Sequence, residues 1–136
     1  MSETIDISRN MAAVRTRIED AAKEAGRDPE TITLVAVSKT KPASLIQQAI
    51  DAGHRVFGEN RVQEAEQKWP ALREGCPDIR LHLIGALQTN KAAHAVRLFD
   101  VIETVDRPRL AASLAKEMTK AGVRRECYVQ VNTGAE

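Results

Sequence analysis

The chain has 136 residues, 43% of them hydrophobic and 29% charged, with a formal net charge of +1. That composition suits one ordinary globular domain and argues against intrinsic disorder. The balanced charge argues against a broad cationic face for nucleic acid, and no run approaches the length of a membrane span.

The predicted elements alternate. Ile7, Met11, Val14, Ile18 and Ala21 recur at helical spacing, and Gly26 is the expected stop. Thr31 to Val37 (TITLVAV) reads as a short strand buried on both faces. Pro42 opens a helix striped by Leu45, Ile46, Ala49 and Ile50, which ends at Gly53. His54 to Phe57 is the second strand, followed by Gly58-Glu59-Asn60 and a helix striped by Val62, Ala65, Trp69 and Leu72. Ile79 to Ile84 is the third strand, and a short Ala-rich helix follows from about Lys91 to Leu98. Val101 to Val105 is the fourth strand. Leu110, Leu114 and Met118 stripe a helix that stops at Gly122, and Cys127 to Val131 is the fifth strand.

Repeated βα units with short apolar strands predict a parallel sheet with right-handed crossovers. A doubly wound sheet and part of a (β/α)8 barrel both satisfy this pattern. The chain stops just after the fifth strand, so the expectation is a truncated domain. The opening residues show no basic region followed by an apolar one, so no secretory signal is expected. Cys76 and Cys127 form no CxxC, which fits a reduced cytosolic chain.

In parallel α/β folds, sites form at the carboxyl ends of the strands. Lys39 lies at the first such end, after a run of apolar or small residues. If partly buried there, its amine loses solvation and becomes a nucleophile able to form a Schiff base; the plainer alternative is a lysine emerging into solvent. Asn60, at the second end, can hydrogen-bond a ligand or cap the helix that follows. His82 lies inside the third strand, on the opposite face from Leu81 and Leu83, where it touches a ligand or sits as a satisfied core histidine. Gly85 either admits a close backbone approach or serves the turn. No metal-ligand set is expected, and there is no dinucleotide fingerprint, P-loop or GxSxG motif.

Three segments carry a resemblance: Leu34 to Pro42 (LVAVSKTKP), Phe57 to Glu64 (FGENRVQE) and His82 to Lys91 (HLIGALQTNK). In order and spacing they closely resemble the YggS/PROSC-type pyridoxal phosphate (PLP) homeostasis proteins, over essentially the whole chain but only the amino-terminal part of that family. The resemblance implies the (β/α)8 TIM-barrel fold of fold-type III PLP proteins, similar to the barrel of alanine racemase. Residues 1–136 would then form an incomplete barrel of about five parallel strands preceded by an amino-terminal helix. It also implies PLP as cofactor, Lys39 as the lysine that carries it, and Asn60 and His82 as cofactor-binding residues. Lys41 is the nearest rival of Lys39. The implied partners are PLP and PLP-dependent apo-enzymes that receive it, in the cytoplasm, with no nucleic acid or membrane. The phosphate cup and the arginine facing the pyridine nitrogen would lie in the last part of such a barrel.

Three functions follow as expectations. The favoured one is a PLP carrier in PLP homeostasis without turnover. The second is a PLP-dependent amino-acid racemase; Tyr128, the only tyrosine, falls within the fifth strand, not at its carboxyl end, so no second base is evident. The third is an inactive fragment of the barrel. Exposed barrel edges lead us to expect self-association.

Overall fold

The computed structural model describes residues 5–135. These form two compact units: one from residues up to 34 together with 41–55, the other from 35–40 together with 56 onward.

The first unit pairs two helices. Helix α1 (Ile7–Glu24) starts where the Asp6 side chain accepts a hydrogen bond from the Arg9 N–H at 3.0 Å, as a good N-cap does. Gly26 (φ +70°) lies just past its end, the left-handed geometry that glycine tolerates. Helix α2 (Ala43–Asp51) packs against α1 and buries Ile46, Ala49 and Ile50. Arg15 of α1 reaches His54 Nδ1 at 2.8 Å, just beyond α2.

The second unit holds the sheet. Its elements are β1 (Ala36–Val37), β2 (Val56–Glu59), α3 (Val62–Gly75), β3 (Arg80–Leu83), α4 (Ala92–Leu98), β4 (Val101–Val105), α5 (Pro108–Ala121) and β5 (Glu126–Val129). All neighbouring strands are parallel, and their spatial order is β1-β2-β3-β4-β5. A doubly wound sheet reverses its strand order at a switch point. This sheet has no reversal, so the winding is that of a barrel segment. Helix α3 packs on α4 and α4 on α5, in the same progression as the strands.

The core lies between the sheet and these helices. Phe57, Leu81, Leu83 and Ile102 meet Ala65, Trp69, Val96 and Leu110, all essentially buried. The Phe57 and Trp69 rings sit 5.0 Å apart at 51°, a favourable tilted aromatic pair.

The fourth strand matches its sequence pattern end to end, and others shift by a residue or two. The first strand is the main correction. Pro29–Thr31 forms a 3-10 turn, with Asp28 accepting from the Glu30 N–H, and only Ala36–Val37 pair in the sheet. The segment is not buried on both faces: β1 pairs with β2 alone, and Val37 is 51% exposed. The second strand also runs later than its pattern, so Glu59 is inside β2 and not in the turn after it.

Candidate functional site

The two sheet faces differ in chemistry. Phe57 and Glu59 both contact Trp69 of α3, so they mark the helix-covered face. Strand alternation then sends Gly58 and Asn60 to the opposite, inner face. The register pairs Val37 with Gly58 and Gly58 with His82. Ser38 continues the ladder with an N–H bond to the Gly58 carbonyl at 2.9 Å. Lys39 and Asn60 therefore stand at adjacent strand ends, and His82 lies on the same inner face.

Lys39 is exposed, so the desolvated position considered from the strand pattern is not what forms. Its backbone is held on both sides. Ser38 is buried, and its hydroxyl donates to Glu59 Oε2 at 2.5 Å. The Lys68 ammonium donates to the Ser38 carbonyl at 2.8 Å. On the other side, the Thr40 N–H donates to Glu64 Oε2 at 2.6 Å. Lys68 joins the halves, lying 3.0 Å from Glu59 Oε2 and 2.8 Å from Glu64 Oε2. An ammonium has three N–H donors, and the oxygens around it include the Ser38 carbonyl and both carboxylates. The Trp69 indole also donates to Glu59 Oε2, at 2.9 Å, while Oε1 finds no partner among the described residues. The Lys68 hydrogen bond, more than any other cause, holds Glu64 below the ordinary glutamate range.

Asn60 is not a helix cap. Arg61 occupies the N-cap position of α3 without a side-chain cap bond, and among the described residues the Asn60 amide makes no hydrogen bond. Its backbone is fixed by contact. A Cβ on Gly85 would meet Asn60 Cα at 2.8 Å and its carbonyl carbon at 2.9 Å, so only glycine allows the β3 end to approach. Thr104 secures Gly85 from the far side, donating to its carbonyl at 2.8 Å. Gly85→Ala is expected to cost about 1–3 kcal/mol, as overpacking against backbone does; thermal unfolding that matches wild type would show that the approach relaxes freely.

His82 is buried, and its Nδ1 has no hydrogen-bond partner among the described residues. The nearest charge is Glu103 Oε2 at 3.6 Å, with Arg80 and Glu126 also acting on the ring. Burial holds His82 below the ordinary histidine range, with Glu103 opposing. The unfolded chain therefore binds a proton that the folded chain resists. The associated stability is present above the ordinary histidine pKa and is lost as pH falls through it toward the lower folded value. Melting temperature is expected to fall more steeply from pH 7.5 to 5.5 in wild type than in His82→Gln. Parallel curves would contradict this.

Glu59, Lys68 and Glu64 were not singled out by sequence reasoning. The one available signal was a carboxylate beside a short apolar run, and the turn residues around it masked that signal. A further cleft at the β5 end is lined by Asp106, Gln130, Val131, Asn132, Thr133 and Gly134. No group of residues able to hold a metal occurs among the described residues.

Known proteins resemble this chain in sequence and in fold. The chain is 46% identical over 132 residues to the pyridoxal phosphate homeostasis protein of Escherichia coli K12, covering 96% of this chain and 56% of that protein. The Pseudomonas aeruginosa protein of the same name is 40% identical over 130 residues, with the same coverage. The chain thus spans about half the length of the curated relatives it matches. Among solved structures, PipY of Synechococcus elongatus with PLP bound matches at a TM-score of 0.74 and 42% identity, covering 85% of this chain and 54% of PipY. A protein of unknown function from Bifidobacterium adolescentis matches at 0.88 and 33% identity, over 99% of this chain and 60% of that one. Residues 9–136 match the family described as alanine racemase, N-terminal domain, and the chain belongs to that family.

Proposed function

We propose that this chain is the amino-terminal portion, residues 1–136, of a PLP-binding barrel domain that serves PLP homeostasis. The observation that carries the reading is a primary amine at a strand end whose flanking residues are clamped, beside an Asn60 amide with no hydrogen bond among the described residues. The PLP-bound state of PipY supports it. Bound PLP supplies an aldehyde that condenses with a primary amine, releasing water. Lys39 provides that amine, Asn60 a hydrogen bond to a ring substituent, and His82 a polar contact from the inner face.

The role is carriage, not turnover, with PLP-dependent apo-enzymes as recipients in the cytoplasm. Neither Cys76 nor Cys127 forms a disulfide among the described residues, which fits a reducing compartment. No helix among the described residues is long and apolar enough to cross a membrane. Exposed Val129 and Val131, on and just after the edge strand β5, favour self-association. The family match keeps one rival, an amino-acid racemase. Deuterium exchange at the α-carbon of L-alanine separates the two. Carriage predicts a PLP-dependent absorption band with exchange no faster than a free-PLP control, whereas exchange above that control would establish the enzyme.

A further inference from the structure

We propose that Glu64 and Lys68, through the buried carboxylate of Glu59, are positioning residues that direct PLP to Lys39 in preference to Lys41. The proposal rests on the reading of Lys39 as the PLP-bearing lysine.

Thr40 carries the first sign. It adopts φ +62°, a left-handed conformation that is an outlier for a β-branched residue. Such backbones persist only where their surroundings hold them, and they cluster at functional sites. Here the holder is identifiable: Glu64 accepts the Thr40 N–H. The second sign is the buried end of the network. Glu59 is fully buried, yet it gathers Ser38, Trp69 and Lys68 around one oxygen. Lys68 then bonds the Ser38 carbonyl, the last backbone group before Lys39.

Both neighbours of Lys39 are thus tied to α3, and the charges alternate from Glu59 to Lys68 to Glu64. None of these groups touches the amine. Their effect is to fix the Cα–Cβ direction of Lys39 while its long side chain extends from an exposed position. Orientation of this kind favours reaction at one amine over a chemically identical one nearby.

Glu64 is the position to test, because it lies in the first turn of α3 and is part-exposed. Glu64→Ala removes the acceptor for Thr40. Glu64→Gln keeps a carbonyl oxygen for the same bond. PLP is added below saturation, the adduct is trapped by borohydride, and peptides are mapped over time alongside thermal melts. Glu64→Ala is expected to slow trapping at Lys39 by about tenfold, the scale of one charge-assisted hydrogen bond, and to raise the share on Lys41. Glu64→Gln is expected to restore most of the Lys39 share. A Glu64→Ala chain with the wild-type rate and distribution would overturn the proposal, as would loss explained wholly by a lower melting temperature. A wild-type chain with no adduct on Lys39 would instead overturn the reading beneath it.

Discussion

Lys39→Ala is expected to lower the yield of borohydride-trapped PLP adduct by roughly a hundredfold at matched PLP concentration, equivalent to about 2.8 kcal/mol at 1.4 kcal/mol per tenfold. Lys39 follows the last sheet-bonded residue of the β1 segment, beside an amide with no hydrogen bond among the described residues. The other exposed lysines lie on helices or loops without that arrangement of groups. What remains in Lys39→Ala is adventitious reaction at surface amines. Intact mass after reduction gives the yield directly. A variant that keeps the wild-type yield on a single other lysine would end the assignment.

Lys68→Met is expected to destabilise the sheet unit by about 3–5 kcal/mol, because it leaves a carboxylate buried without its cation. Glu59 is fully buried and Lys68 nearly so. A loss of that size is a large share of the 5–15 kcal/mol that typically separates folded from unfolded. Trp69 is the only tryptophan, is fully buried and bonds Glu59 itself, so its fluorescence reports this region during urea unfolding. Adding Glu59→Gln to Lys68→Met removes the uncompensated charge and is expected to recover more than about 1 kcal/mol. Purely additive losses would mean that the pair is not coupled.

Much of the architecture was legible because its signals are local. Val101 to Val105 (VIETV) is β-branched at every position but Glu103 and is flanked by strands on both sides, and pattern and strand coincide. Gly26 and Gly122 stop their helices through positive φ, as their positions imply. Thr31 to Val37 has the same apolar character, yet strand pairing needs a neighbour, and only Ala36–Val37 have one. The open choice between barrel and doubly wound sheet depended on strand order, which periodicity does not encode. Lys39, Asn60 and His82 stood out by residue type and strand position, but their proposed cofactor roles come from the family resemblance. The Glu59–Lys68–Glu64 network could not, because it depends on which face of β2 meets which turn of α3. Gly85 lay between the two cases: a close approach was one of its readings, and the partner, the Asn60 backbone, appears only in three dimensions.

The most direct measurement is peptide mapping of the wild-type chain after PLP addition and borohydride reduction. The predicted result is a single dominant phosphopyridoxyl adduct on Lys39, with Lys41 a minor site. A dominant adduct on any other lysine, or an even spread over the exposed lysines, would contradict the central claim.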